Sequence, residues 1–525
     1  MATNTTAITL ATPHVTLHGI IAGQHGTVAQ FRGIRYGRVP ARFAPPVLAT
    51  LESSVSSSSP SRDGGAGAAA ETKDVDCTAY GPRCPQQPID VGYLLRLPED
   101  VELPREPEDE FECLNLDVSM PAAMVERKSL RLLPVMVWIH GGSQVMTFGS
   151  AASGICDPCK IVEDSVKQSK PIIVVTVQYR LNIFAFGDGK GARNLALKDQ
   201  RLAIEWTKKH IADFGGDPEN ITIAGESAGA VYAHAHVVQN APVKRAILMS
   251  GTLELSPPRP VSYEATIVAP MEAKLASIGT SLRTATAEQI IQALTETNMV
   301  SMWLQQSPDE PELSEWTRSG SVKSLLVGDV EYESILWRNG IEALTPQTIV
   351  DAFDLAGEHS GELRRAYGIM GSRATQTKTG ALDFINDTRF SWPIQKLSRA
   401  WRAGGRAVYG YVVDQANPWQ GSSRAHHAVD LVLLFGGLGL SFNPAAEAVA
   451  DEMRRRWIAF VNGEAPWSAD TTFAFGPHGD CRELDAGGLA ARRRTVQLAT
   501  LERVPAAQVG AVFGALAAGR VSLLN

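Results

Sequence analysis

From about Leu114 onward the apolar positions follow an alternating strand and helix rhythm. LPVMVWIHGG (Leu133 to Gly142) and PIIVVTVQY (Pro171 to Tyr179) are almost unbroken apolar runs. Such runs mark strands covered on both faces, since a strand with one wet face alternates apolar and polar residues. LNLDVSMP, NITIAG (Asn220 to Gly225) and KRAILMSG (Lys244 to Gly251) read as further strands. LALKDQRLAIEWTKKHIADFG turns Leu195, Leu202, Ile204, Trp206 and Ile211 toward a core and reads as a helix. This alternation predicts the α/β class: a large, mostly parallel sheet with helices on both faces. Ahead of it, VTLHGIIAG (Val15 to Gly23) and TVAQFRGI (Thr27 to Ile34) read as a hairpin. Residues 255–400 read as mainly helical and cap-like, AVYGYVV (Ala407 to Val413) returns to strand, and EMRRRWIAFVNGE and QVGAVFGALAAG read as helices.

Two stretches break the rhythm. ESSVSSSSPSRDGGAGAAAE (Glu52 to Glu71) has almost no bulky apolar residue to offset the entropy of ordering, so a disordered insertion is expected at 52–71. PEDVELPREPEDEFE (Pro98 to Glu112) is acidic and reads as a solvated loop. At about 150 residues per domain, 525 residues allow three or four domains. The motifs below reach from Gly33 to the Trp457 region, and they favour one large domain over 1–525 with insertions.

The formal charge of −7 argues against nucleic acid as a partner, because phosphate binding draws on a basic excess. No run of about 18 apolar residues is present, so no membrane span is expected. MATNTTAITLATPHV lacks the charged and apolar regions of a secretory signal, which points to the cytoplasm. The six cysteines (77, 84, 113, 156, 159, 481) are too sparse for a disulfide scaffold, and are expected mostly as thiols.

The sharpest chemical signal is Gly225-Glu226-Ser227-Ala228-Gly229, which follows a strand and opens a helix. That is the setting a G-x-S-x-G elbow requires: a crowded turn lifts the serine above the sheet and aims a helix N-terminus at it. A serine is a weak nucleophile without a base and an oxyanion site. Trp138-Ile139-His140-Gly141-Gly142-Ser143 supplies a glycine-rich turn after a buried strand, with N–H groups free to face an oxyanion. The expected donors are the N–H groups of Gly142, Ser143 and Ala228. His140 lies on this loop and reads as structural.

These residues resemble the type-B carboxylesterase family of α/β-hydrolases, which includes cholinesterases and fungal lipases. Gly33-Ile34-Arg35-Tyr36 with Ala41 to Pro46, Glu112-Cys113-Leu114-Asn115-Leu116-Asp117-Val118, and Val177-Gln178-Tyr179-Arg180-Leu181 match family motifs in order. Asn194, Leu197, Asp199-Gln200, Trp206 and Phe214 to Pro218 carry the match up to the elbow. The resemblance implies an α/β-hydrolase fold, a small-molecule ester substrate and no cofactor or metal. It places the triad acid in Gly328-Asp329-Val330-Glu331-Tyr332-Glu333-Ser334, at Glu333 with Glu331 as competitor. It places the base eight residues before Phe435-Gly436, at His427 with His426 as rival. GDVEYES and HHAVDLVLLFG look more like fungal members than animal ones. Cys84 and Cys113 match the family's first disulfide. Ser143 and Gln144 depart from the family's oxyanion loop, and Ser334 stands where a glycine is usual after the acid.

Other groupings read as structural. Cys156-x-x-Cys159 lacks a second ligand pair, and His234 and His236, two apart on a helix, face different ways. Ser250-Gly251 reads as buried polar support for the nucleophile, and Asn386-Asp387 as a structural position. The resulting expectation is a serine hydrolase of carboxylic esters working through an acyl-enzyme. Its activity is expected to fall below about pH 6–7 as His427 gains charge. Acyl transfer or condensation with the same triad, and a non-catalytic binding member of the fold, are the alternatives.

Overall fold

The computed structural model describes residues 6–54, 73–126 and 131–522. Most of the low-complexity stretch therefore lies outside the described residues; its first positions end a 3-10 turn, Leu51–Ser54. Among the described residues thirteen strands join in one sheet. Its centre is parallel and runs Ile173–Val177, Leu133–Ile139, Gly216–Glu226, Arg245–Met249, Ser324–Val330, Ala407–Val413 and Thr472–Phe475 in space. Antiparallel strands flank it, from Asn115–Pro121 through Val28–Arg35 and Val15–Ala22 to Ala7–Ala11 on one side, and Cys481–Leu484 on the other.

The apolar runs divide between two cores with a period of two, as strand geometry dictates. Val135, Val137 and Ile139 enter one core, and Met136 and Trp138 the other. The strand Ile173–Val177 splits the same way, with Val175 and Val174 on opposite faces. All eleven residues of the helix Ala228–Val238 are buried, which suits its run of alanines and valines and its place behind the elbow. The helix Leu195–His210 covers it and buries Leu195, Ile204 and Trp206 as the sequence pattern predicts.

Residues 255–400 are mainly helical, but the strand Ser324–Val330 interrupts them and pairs in the middle of the sheet. The helices from Arg338–Glu342 to Trp392–Ala403 build a third apolar cluster around Trp337, Phe353, Phe384 and Phe390. The C-terminal helices Thr495–Leu501 and Ala506–Ala517 pack into that cluster through Leu501 and Val512. The edge strands Lys73–Asp76 and Cys481–Leu484 were not legible, being short and mixed in polarity.

Polar staples tie the loops to the sheet. Arg180 and Asp199, at 1% and 0% side-chain exposure, form a bidentate pair with bonds of 2.8 and 2.6 Å. Arg180 also donates to the Ala44 carbonyl at 2.8 Å, so one guanidinium joins a strand end, a helix and the N-terminal loop. The acidic Pro98–Glu112 segment is held rather than merely solvated: Arg83 pairs with Glu106 and Glu108, Arg42 with Glu110, and Arg35 with Glu112. Among the described residues no helix is long and apolar enough to cross a membrane.

Candidate active site

The parallel strands deliver three loops to one edge of the sheet, the carboxyl edge where open α/β sheets bind ligands. Gly216–Glu226 ends at Ser227, which takes φ +54° and ψ −122° before the helix starts at Ala228. A positive φ in a non-glycine residue is strained, and the surroundings hold it there. The Ser227 N–H donates to the Met249 carbonyl at 2.9 Å. Gly229 must be glycine, since a Cβ there would lie 2.1 Å from the Ile139 carbonyl oxygen.

Glu333 follows the strand Ser324–Val330, and His427 lies beyond Ala407–Val413. The two loops are stitched directly: Tyr332 N–H donates to the Ala425 carbonyl at 2.8 Å, and His427 N–H to the Tyr332 carbonyl at 3.2 Å. The result is a continuous line of side chains. Ser227 Oγ is 2.9 Å from His427 Nε2, and His427 Nδ1 is 2.5 Å from Glu333 Oε2. The Glu333 carboxylate is fully buried, and its second oxygen accepts from the Val330 N–H at 2.9 Å. Asn386 Oδ1 accepts the N–H groups of Glu333 (2.8 Å) and Ser334 (3.3 Å), which gives that position a task in orienting the acid loop. The Phe390 ring stands edge-on to the imidazole at 5.5 Å.

The competitors lie elsewhere. Glu331 pairs with Arg424 at 2.7 Å on the rim. His426 points away from Ser227: its Nδ1 is 2.8 Å from the His427 carbonyl, and its Nε2 accepts from Asn417 Nδ2 at 2.9 Å. Burial lowers its pKa to about 4, so it is neutral. His140 is likewise neutral, stacked on Tyr179 at 4.3 Å. His234 accepts from the Leu253 N–H and His236 meets Gln200, so the two do diverge. Burial holds Cys156 and Cys159 as thiols by pushing both pKa values up. Ser250 is fully buried and donates its N–H to the Gly328 carbonyl at 2.9 Å, and Gly251 beside it packs on the Ser227 backbone. Cys84 and Cys113 lie side by side but are free thiols, not the disulfide that the resemblance implies; the contact with Cys84, then burial, raises the Cys113 pKa well above the usual thiol range.

Above the serine, Gly142 takes φ +117°, and a Cβ there would sit 2.1 Å from the Met146 carbonyl oxygen. Ser143 (φ +53°) and Gln144 (φ +65°) continue the left-handed turn. Gln144 explains how non-glycines stay there: its side chain accepts from Tyr232 Oη at 3.1 Å, and its carbonyl accepts from the Asn182 N–H at 2.8 Å. The N–H groups of Gly142, Ser143 and Ala228 donate to no partner among the described residues. The pocket over Ser227 holds about 530 Å³ of empty space, part of it open to solvent. Leu94, Met146, Phe148, Ile335 and Leu336 give it apolar walls, and Arg96 also lines it.

Two buried carboxyls that the sequence reading left unused complete the site. Glu226 Oε1 lies 3.3 Å from His427 Nε2, and Asp430, at the start of the helix Val429–Phe435, is also fully buried. Burial pushes Glu226 well above the carboxylate range against the opposing pull of His427. Burial, then the Glu333 charge, pushes Asp430 up to about 7. For His427, burial alone would lower the pKa, but Glu226 and Glu333 outweigh it and raise it to about 9. An upward shift of this kind would move the pH 6–7 limb expected from an unperturbed histidine to higher pH, because the acids around it favour the imidazolium. Glu226 was in plain view inside the elbow motif; Asp430, three residues past His427, carried no independent signal.

A buried serine delivered by a parallel strand onto a helix N-terminus is the architecture of an α/β-hydrolase. Known proteins agree and narrow it. The carboxylesterase family profile matches residues 69–480, so the chain belongs to that family and is a carboxylic ester hydrolase. It is 28% identical over 514 residues to Lipase 3 of Yarrowia lipolytica, covering 94% of this chain and 96% of that one. It is 38% identical over 242 residues to a protein of Byssochlamys spectabilis described as an inactive carboxylesterase-like protein, covering 43% of this chain and 36% of that one. A solved structure of a PNB esterase superposes over 94% of this chain and 99% of its own, with a TM-score of 0.69 at 22% identity.

Proposed function

We propose that this ester hydrolase works through Ser227 as nucleophile, His427 as general base and acid, and Glu333 as the carboxylate that orients and stabilises the imidazolium. The observation that carries this reading is the unbroken line from Ser227 Oγ to His427 Nε2 at 2.9 Å and from His427 Nδ1 to Glu333 Oε2 at 2.5 Å. With Nδ1–H donated to Glu333, Nε2 is left as the acceptor that Ser227 requires. Attack forms the Oγ–carbonyl bond while the hydroxyl proton passes to Nε2. Collapse of the tetrahedral intermediate breaks the ester C–O bond, and the imidazolium returns its proton to the leaving alcohol. Water then repeats the cycle on the acyl-enzyme and releases the acid.

The N–H groups of Gly142, Ser143 and Ala228 serve as the oxyanion site, each stabilising the intermediate by roughly 2.7–4 kcal/mol. Their lack of partners within the chain supports this role. Hydrolysis rather than acyl transfer is the default outcome, because the chain belongs to the carboxylesterase family. One domain over 1–525 is part of the same reading: a single sheet draws strands from Ala7–Ala11 to Cys481–Leu484. Ser227→Ala should abolish turnover of short-chain aryl esters while the protein stays folded. Retained turnover in that variant would overturn the assignment. Product analysis with an added alcohol separates hydrolysis from transfer.

A further inference from the structure

Among the described residues, Arg96 is the one side chain on the pocket wall that carries a fixed positive charge, and nothing in the hydrolytic reading uses it. It follows the short helix Val91–Leu94, capped by Asp90, whose Oδ1 accepts the Tyr93 N–H at 2.8 Å. Arg96 adopts φ +58°, a left-handed conformation that glycine takes without strain and arginine does not. The surroundings force it. Leu95 is fully buried in the core that holds Trp138 and Phe435, and its carbonyl accepts from Asn417 Nδ2 at 2.7 Å. The same Asn417 amide nitrogen donates to His426 Nε2, so the residue before Arg96 is fastened to the residue before His427.

The guanidinium is only partly committed. Nη1 donates to the Tyr93 carbonyl at 2.9 Å, and the guanidinium lies 5.1 Å from the Tyr93 ring centre. Among the described residues no carboxylate is within ion-pair distance of it, although Glu99, Asp100 and Glu102 follow closely in the chain and are exposed. The remaining wall is largely apolar, and the nearby acids do not answer this charge: Glu333 is paired with His427, and Glu226 lies 3.3 Å from His427 Nε2.

We propose that Arg96 binds an anionic group of the substrate, so that the preferred substrates are carboxylic esters carrying a free carboxylate, such as monoesters of dicarboxylic acids. This inference rests on Ser227 being the nucleophile and adds the recognition of the substrate's distal end. An arginine fork takes a carboxylate through two parallel N–H bonds, and the apolar side chains around it offer no competing acceptor. The bond chemistry at the ester is unchanged.

The test compares kcat/KM for matched pairs in the full-length protein. Monomethyl esters of succinate to suberate are set against the dimethyl diesters, which places the charge on the acyl side. 4-Acetoxybenzoate is set against its methyl ester, which places it on the leaving group. In the wild type, at least one arm should show a preference for the charged member. Arg96→Gln should lower that charged-to-neutral ratio by ten- to a hundredfold, mainly through KM, and Arg96→Lys should restore part of it. The ratio cancels any general damage to the active site, and fluorophosphonate labelling of the same variants reports on Ser227 separately. No preference for the charged member in either arm, or a ratio unmoved in Arg96→Gln, would overturn the proposal. Turnover surviving in Ser227→Ala would instead sink the underlying mechanism.

Discussion

Replacing Glu333 by Gln removes one negative charge and almost no volume, so it isolates what that charge does. In the native site the carboxylate is fully buried, accepts the Val330 N–H at 2.9 Å and lies 2.5 Å from His427 Nδ1. At an effective dielectric constant of about 20, opposite unit charges at that separation attract by about 6–7 kcal/mol, which sets the gross stabilisation available to an imidazolium. A glutamine that keeps its oxygen on the Val330 N–H turns its amide nitrogen toward Nδ1. Nδ1 must then accept, and the ring proton moves to Nε2, where it faces Ser227 and blocks proton abstraction. The corresponding change in Ser-His-Asp triads lowers kcat about 10⁴-fold, or about 5.4 kcal/mol, which fits within the gross figure. Glu333→Gln should therefore lose about 10³–10⁴ in kcat on a short-chain aryl ester. The acid limb of its residual activity should move to lower pH, since a charge that raises the His427 pKa is gone. Glu331→Gln is the control: an exposed pair with Arg424 contributes about 0–1 kcal/mol, so activity should stay within about threefold. Steady-state kinetics from pH 5 to 10, with circular dichroism to confirm folding, read both effects. A loss below about tenfold in Glu333→Gln, or an equal loss in Glu331→Gln, would refute the assignment of the acid.

The acid limb of the wild-type kcat/KM should lie above pH 6.5 and reach as high as about pH 9, because Glu226 and Glu333 raise the His427 pKa. Glu226→Gln should shift that limb to lower pH by at least about half a unit; an unmoved limb would show that Glu226 carries no charge there. Arg180→Met should destabilise the fold by about 3–5 kcal/mol, because Asp199 stays buried without its partner. The lone Asp199 would have a folded pKa far above its unfolded value of about 3.9, so stability lost to the variant should grow as pH rises. Urea unfolding at pH 5 and pH 8 checks this: the deficit should be larger at pH 8, and an equal deficit would contradict the sign.

Much of the architecture was legible because burial on both faces writes itself as nearly unbroken apolar runs, as at Leu133–Ile139 and Ile173–Val177. The elbow was legible for a steric reason, since Gly229 sits where a Cβ would strike the Ile139 carbonyl. Glu333 and His427 came from resemblance; no local pattern distinguishes them from Glu331 and His426. What separates them is tertiary. The bridge between Tyr332 and His426 sets which members of the two loops meet, and it joins residues 94 apart in the chain. The Glu226 and Asp430 cluster was not legible for the same reason, because its effect on His427 exists only after the loops converge. The edge strands Lys73–Asp76 and Cys481–Leu484 were missed because four mixed residues carry too little periodicity to read.

The central claim is that one serine carries the acyl group. Incubation with a fluorophosphonate, followed by intact mass and peptide mapping, tests it most directly. One adduct per chain is expected, on Ser227, absent in Ser227→Ala and formed far more slowly in Glu333→Gln. An adduct on another residue, or none on a folded protein that still turns over esters, would contradict it.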